Sequence, residues 1–297
     1  MHPILFTIPG LDWPIRSFGV MVVLGFILGS HAYAVLGQRY AKDPMREAPG
    51  FAAVPMWVLL GIMLGARAMY VIVEILRGSE TGQAYLDDPL KIFAYWEGGL
   101  VMYGGAFGGI ALGLWGARKH MMRLWHALDL GLVAGILGLS VGRIGCLLVG
   151  DDFGSRVPVE HQGLPFPITL HVPEVLPNGS LFGPENAGQV LWATQPWMTA
   201  NALLLFVIGL FLMRRRRWEG QVAAQMLVLY AIGRYTIENF RGDSMRGLWF
   251  DGAISTSQLV SIVVASVCLV ILFVNRKRDD RRNADGTRVD GQPVSPA

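Results

Sequence analysis

Seven apolar runs, each long enough to cross a bilayer, constrain this chain more than any other feature of its sequence. They lie at about residues 18–37, 52–73, 99–117, 127–148, 198–213, 221–240 and 254–274, and a helix needs about 20 residues to span the hydrocarbon. Composition agrees. Of 297 residues, 53% are hydrophobic and 16% charged, with 37 glycines, against about 25% charged in a soluble domain. The expected fold class is an all-α integral membrane protein with seven transmembrane helices.

Basic residues set the expected orientation, because Lys and Arg in short loops are retained on the cytoplasmic side. Arg39, Lys42 and Arg46 follow the first run, Arg118, Lys119 and Arg123 the third, and Arg214 to Arg217 the fifth. With Arg276, Lys277, Arg278, Arg281, Arg282 and Arg288 in the tail, 16 of the 25 basic residues fall on one side. The loop after the second run mixes Arg77 and Lys91 with Glu80, Asp87, Asp88 and Glu97, and the long loop after the fourth carries only Arg156. The N terminus is therefore expected outside the cytoplasmic membrane and the C terminus inside. A net charge of +3 then reports topology. No basic stripe interleaved with aromatics points to nucleic acid, whereas the four-arginine run and the tail favour anionic lipid headgroups.

Residues 1–278 are expected to form one seven-span domain. Within it, residues 151–197 are the sizeable stretch outside the membrane, rich in Pro, Gly and Asn. PNGS at 177–180 carries a hairpin-turn signature, and the segment is expected to cap the mouth of the bundle between spans four and five, on the extracytoplasmic side. Residues 279–297 have no apolar periodicity and read as a disordered cytoplasmic tail. The first 18 residues lack the basic n-region and small-residue cleavage site of a signal peptide, so the first run is expected to be retained. Cys146 and Cys268 both lie in apolar runs and offer neither a disulfide framework nor metal-ligand spacing. No cofactor and no metal are expected.

Charges inside the runs carry the functional argument. Arg67 lies in the second, Arg143 late in the fourth, and Arg234 with Glu238 in the sixth. Each costs on the order of 3 kcal/mol at a helix centre, so such residues face the bundle interior or a wet cavity and are functional by default. Arg234 and Glu238, four apart, can also neutralise each other as a structural pair. Tyr230, Arg234, Glu238 and Arg241 form one polar stripe, in which two arginines for one carboxylate leave positive charge over. The fourth and sixth runs both travel from inside to outside, so Arg143 joins this stripe near the outer end. Guanidinium is always charged and binds phosphate bidentately, and a phosphate carried on a lipid suits such a place.

Glycines recur at four-residue intervals, as Gly105, Gly109 and Gly113 in the third run and Gly138 and Gly142 in the fourth. Such spacing lets transmembrane helices approach closely. Close packing of these two runs on each other is expected to set Tyr103 near Arg143.

The segments WEGGLVMYGG, GRIGCLLVGDDFG and LYAIGRYTIENFRGD, in that order, resemble the bacterial phosphatidylglycerol:prolipoprotein diacylglyceryl transferases from about Phe18 to Arg246. That family moves the diacylglyceryl group of phosphatidylglycerol onto the lipobox cysteine of a secreted preprotein, forming a thioether and releasing glycerol phosphate. The resemblance implies a multi-pass protein of the bacterial inner membrane, with prolipoprotein signal peptides and phosphatidylglycerol as partners. Carried over by position, Arg143 and Arg234 hold the phosphate, Glu238 orients Arg234, and Tyr230 contacts the headgroup. Gly104, Gly154 and Arg241 complete the lipid site, while Tyr103 and Asp151 join the catalytic set.

This chain departs from the family pattern at several of these positions. The family's Gly-Arg-x-Gly-Asn-Phe-x-Asn-x-Glu is kept here at Gly142, Arg143 and Gly145, with Asp151 for the Glu and Cys146, Leu147 and Val149 at other places. Tyr103 stands where many members have His, and Phe18 where many have Tyr. The His-Pro-Ser-Gln-Leu-Tyr-Glu segment corresponds to WATQPWM, which retains Gln195. A thiol with pKa near 8.5 must lose its proton to attack, and tyrosine, with pKa near 10, is a weak base at neutral pH. Tyr103 is then a hydrogen-bond donor to the phosphate. The proton goes to Asp151 or Asp152, or the arginines lower the thiol pKa without a dedicated base.

Two other functions use buried charge. A transporter would carry polar residues to both ends of the bundle, and a relative that binds phosphatidylglycerol without transferring it would keep the arginines and lose the base. The orientation is tested directly by reporter fusions: one after Arg217 should report cytoplasm and one after Ser180 the exterior. The reverse pattern would overturn the placement of every charged residue above.

Overall fold

The computed structural model describes residues 1–10, 12–41, 43–242, 247–249 and 254–279. The expected disordered tail, beyond Asp279, lies outside the described residues, as do Lys42 and Arg246. Eight α-helices carry the described chain: α1 (Ser17–Tyr40), α2 (Pro44–Arg77), α3 (Glu80–Asp87), α4 (Met102–Lys119), α5 (Leu124–Val149), α6 (Thr194–Arg215), α7 (Gln221–Glu238) and α8 (Thr256–Val274). Three two-stranded antiparallel sheets occupy the connections: β1 (Ile4–Ile8) with β2 (Trp13–Arg16), β3 (Thr169–His171) with β4 (Val190–Trp192), and β5 (Leu248–Trp249) with β6 (Ile254–Ser255).

Five helices, α1, α2, α5, α6 and α8, are long and apolar enough to cross a membrane. The chain is an all-α membrane protein. Two expected spans, at 99–117 and 221–240, are helical as α4 and α7 but fall short of that apolarity. The physical reason lies in their residues: α4 has six glycines and ends in Arg118 and Lys119, and α7 carries Gln221, Gln225, Arg234 and Glu238.

The chain divides into two compact units, residues 33–128 and residues 1–32 with 129–297. In the first, α2 begins where Asp43 Oδ1 accepts the Arg46 N–H at 3.1 Å and ends at Gly78, whose φ of 65° stops the helix. Its glycines meet those of α4. A Cβ on Gly61 would strike the Gly108 carbonyl, and one on Gly65 the Gly104 carbonyl. Gly105 and Gly109 lie against Ile62, and Gly113 against Val58. Removing side chains on both faces lets the helix backbones touch.

Arg67, singled out as a functional charge in the sequence, has a structural occupation here. Its guanidinium is buried and donates to the carbonyls of Ile92 at 2.7 Å, Lys91 at 2.9 Å and Gly98 at 2.6 Å. Tyr70, Tyr85 and Tyr95 stack around it at 5.4 to 5.8 Å. The side chain pins the loop between α3 and α4 to α2 through three of its carbonyls, that of Lys91 being shared with the Ala94 N–H.

In the second unit the β1–β2 hairpin leads into α1, anchored by Ser17, whose N–H and hydroxyl both reach the Pro3 carbonyl at 3.0 and 3.2 Å. Gly25 and Gly29 of α1 face α5, so that a Cβ on Gly138 would stand 2.8 Å from the Gly25 carbonyl. The glycine faces of the third and fourth expected spans thus serve different partners, α4 meeting α2 and α5 meeting α1.

Asp129 of α5 is fully buried and accepts from Gly220 N at 2.9 Å, Ala223 N at 2.8 Å and Arg216 Nη1 at 3.3 Å. It caps the first turn of α7 from a neighbouring helix. Between α5 and α6, the β3–β4 pair packs on a small core of Val172, Phe182 and Leu191. PNGS at 177–180 does form a turn, with Ser180 N donating to the Pro177 carbonyl at 3.0 Å and Gly179 at φ 80°. It sits within the β3–β4 connection, so no strands flank it directly.

Candidate functional site: an ionic centre at the ends of α5, α6 and α7

The ends of α5, α6 and α7 meet around one polar cluster. Gly150 follows α5 with φ 81°, and Asp152 adopts φ 53°, a left-handed conformation that aspartate enters more readily than most side chains. The Asp152 N–H donates to Asp151 Oδ1 at 2.9 Å. From the first turn of α6, Thr194 Oγ1 donates to the Asp152 carbonyl at 2.7 Å and Gln195 Nε2 to the Asp151 carbonyl at 2.9 Å. Beyond α7, Gly154 and Arg241 form an antiparallel bridge, with Ser155 N donating to the Phe240 carbonyl at 2.7 Å. Gly154 suits that place because a Cβ there would collide with Trp192.

Asp152 presents both carboxylate oxygens to arginines. Oδ2 is paired with Arg143 Nη1, and Oδ1 with Arg241 Nη2 at 2.5 Å. The other Arg241 nitrogen, Nη1, lies 3.8 Å from Glu238 Oε2, which pairs with Arg234 Nη2 at 2.8 Å. Arg143, Asp152, Arg241, Glu238 and Arg234 thus form one chain of three cations and two anions, with the Asp151 carboxylate within 4.8 Å of that of Asp152. Burial opposes ionisation of Asp152, but Arg143 and Arg241 outweigh it and hold the carboxyl below the usual carboxylate range.

Further side chains shape the centre. Arg234 also meets Ser257 Oγ of α8 at 3.3 Å and Met198 Sδ of α6 at 3.9 Å. The Cys146 sulfur lies 3.8 Å from Arg143 Nη1 and 3.9 Å from Asp152 Oδ2. A cavity of about 10 Å³ opens beneath, bounded by Arg143, Arg234, Tyr230, Asn201 and Met198 with Leu139 and Ile237. Cys146, Asp151 and Asp152 offer ligand atoms within 4.8 Å of one another. Guanidiniums already engage both Asp152 oxygens, however, and their charge opposes a cation in the same place.

Of the residues expected from sequence, Arg143, Arg234, Glu238, Arg241 and Gly154 come together here, and Tyr230 lines the cavity. Asp151 braces the loop through its Oδ1 and its carbonyl, within 4.8 Å of the Asp152 carboxylate that pairs with Arg143 and Arg241. Tyr103 and Gly104 open α4 in the other compact unit, where Gly104 packs on Gly65 and Met69. Sequence reading did not single out Asn201, Met198 or Ser257. Asn201 and Ser257 carry the signal that marked the arginines, a polar side chain inside an apolar run.

Membrane-length helices closing on a half-buried ionic centre define a multi-pass membrane protein that concentrates guanidinium groups at one end of its helices. The chain belongs to the prolipoprotein diacylglyceryl transferase family, whose pattern matches residues 3–274. It is similar to the phosphatidylglycerol–prolipoprotein diacylglyceryl transferase of Halalkalibacterium halodurans, 27% identical over 88% of this chain and 82% of the relative. The second enzyme of that name from Clostridium perfringens is 29% identical over 96% of this chain and 100% of its own length. The Geobacter sulfurreducens enzyme is 29% identical over 93% of this chain and 97% of its own.

Asp152 makes the centre acid-sensitive in a defined direction. A carboxyl whose pKa is lower folded than unfolded adds stability above the unfolded value, about 3.9, and loses it as pH falls through the folded value. Thermal unfolding in detergent should therefore show an acid limb below about pH 4 that Asp152→Asn removes. At neutral pH the same variant, leaving Arg143 and Arg241 without their shared anion, should lose stability on the order of 3 kcal/mol. Identical acid limbs in both proteins would show that the pairing contributes nothing.

Proposed function

We propose that this ionic centre is the phosphate-handling site of a phosphatidylglycerol:prolipoprotein diacylglyceryl transferase. The observation that carries the reading is the gathering of three guanidiniums, those of Arg143, Arg234 and Arg241, around Asp152 and Glu238 at one end of membrane-length helices. The lipid phosphate enters as an anion and competes with Asp152 for Arg143. Arg234, oriented by Glu238, provides a second fork.

The reaction forms a bond between the lipobox sulfur and the glyceryl carbon that carries the phosphate, and breaks that carbon's bond to oxygen. The electron pair stays on the phosphate oxygen, so the phosphate goes from one negative charge to two as glycerol phosphate departs. Fixed guanidiniums facing the developing charge act in a water-poor site, where such donors contribute about 10²- to 10³-fold each. The thiol proton needs an acceptor. Asp152 is a weak base while Arg143 holds it, and its basicity rises once the phosphate takes Arg143 away. Tyr103, in the family's His position, and the adjacent Gly104 belong to the catalytic and lipid-binding set on the family pattern alone.

The surrounding arrangement in this reading is seven spans, α4 and α7 included, in the bacterial inner membrane. The N terminus is outside, residues 151–197 cap the outer end, and the C-terminal tail is cytoplasmic. Residues 1–278 form the transferase domain, and the substrates are phosphatidylglycerol and a prolipoprotein signal peptide with its lipobox cysteine.

Incubation of the purified protein with phosphatidylglycerol vesicles and a lipobox peptide should add one diacylglyceryl group to the peptide mass, and none to its Cys→Ser form. Arg143→Lys and Arg234→Lys should each slow transfer by about 10²-fold or more while still inserting, because an ammonium lacks the planar fork. Wild-type rates in both would refute the phosphate clamp. Lipid binding without transfer by the wild type would make this chain a non-transferring relative.

A further inference from the structure

Asn201 is an amide in the apolar stretch of α6, and among the described residues it has no hydrogen-bond partner. It borders the cavity with Arg143, Arg234 and Tyr230. Gly233, the residue before Arg234, makes room for it: a Cβ there would stand 2.6 Å from both Nδ2 and Oδ1 of Asn201. The amide is thus seated against the α7 backbone next to a phosphate-binding arginine. A polar side chain at such a depth is costly unless it finds a partner.

Position along the helices says which part of a lipid that partner is. With about 1.5 Å of rise per residue, Arg234 lies roughly 6 Å from the end of α7 at Glu238, and Arg143 roughly 9 Å from the end of α5 at Val149. Asn201 lies roughly 10 Å into α6 from Thr194, and Tyr230 roughly 12 Å from Glu238. These three ends meet at the ionic centre, so Asn201 and Tyr230 stand on its deeper side. In a phospholipid whose phosphate sits at the guanidiniums, the next polar groups toward the acyl chains are the ester carbonyls. The cavity, about 10 Å³, has room for about one water-sized group, which fits a carbonyl oxygen and not a phosphoglycerol headgroup.

We propose that Asn201 donates a hydrogen bond to an ester carbonyl of the diacylglyceryl group and so orients the reacting glyceryl carbon. This rests on the transferase reading above and adds a specificity contact to it: the site recognises acyl-ester lipid by its carbonyl as well as its phosphate. Tyr230 flanks the same cavity as its phenolic neighbour.

Dialkyl-ether phosphatidylglycerol keeps the phosphate, glycerol and chains and lacks the carbonyls. The wild type should transfer from the ether lipid about 3- to 10-fold more slowly than from the ester lipid, the range of one neutral hydrogen bond. Asn201→Leu, close in volume, should be slowed by a similar factor on the ester lipid and should not distinguish the two lipids. Gly233→Ala, which crowds the amide, should shrink the ester preference without abolishing transfer. No ester preference in the wild type would overturn the proposal without any variant, and so would an Asn201→Leu protein that keeps the full preference. If the wild type transfers from neither lipid, the transferase reading fails. The ester preference is then read from lipid affinity in vesicles of each composition, where its absence would overturn this contact too.

Discussion

The structure of the second compact unit depends on how three guanidiniums, one buried and two half-buried, are neutralised. An arginine in an apolar helix is tolerated only beside an anion, a carbonyl or water, and here Asp152 and Glu238 link Arg143, Arg241 and Arg234 into one chain of charges. That requirement dictates the backbone around it. The chain must turn sharply after α5 to bring Asp152 back over Arg143, hence the left-handed Gly150 and Asp152. It must also bring Arg241 across to the same carboxylate, hence the Gly154 bridge. Thr194 and Gln195 fix that turn from α6.

The charges also explain what surrounds them. Glycines at Gly25 and Gly138 let α1 and α5 approach at backbone distance, and Asp129 ties α7 to α5 at its other end. With α7 held at its start by Asp129 and at its finish by Arg241, the stripe of Tyr230, Arg234 and Glu238 has little freedom to rotate. In the proposed function, a phosphate arriving at this centre exchanges one anion for another.

Much of this was legible in the sequence because membrane constraints are severe. Apolar runs of the right length predicted the helices, and a guanidinium within such a run marked Arg143 and Arg234 before any geometry was known. Legibility ended where identity depends on a local turn or a partner's surface. Asp151 and Asp152 are adjacent and chemically alike, and only the backbone at Gly150 decides that Asp152 faces the arginines. Arg67 carries the same sequence signal as Arg143, yet its partners are loop carbonyls and tyrosines, which spacing does not reveal. The glycine intervals announced close helix contact but not the pairing of α4 with α2 and α5 with α1. The shortfall in apolarity of α4 and α7 follows from the residues that make them useful, glycines in one and charges in the other.

The most direct test of the account is an experimental map of the protein in phosphatidylglycerol nanodiscs. It should show the lipid phosphate within bidentate hydrogen-bond distance of Arg143 and Arg234, about 2.7 to 2.9 Å from nitrogen to oxygen, with Asp152 released from Arg143. A phosphate bound elsewhere, with the Arg143 and Asp152 pair intact in the lipid-loaded protein, would contradict it.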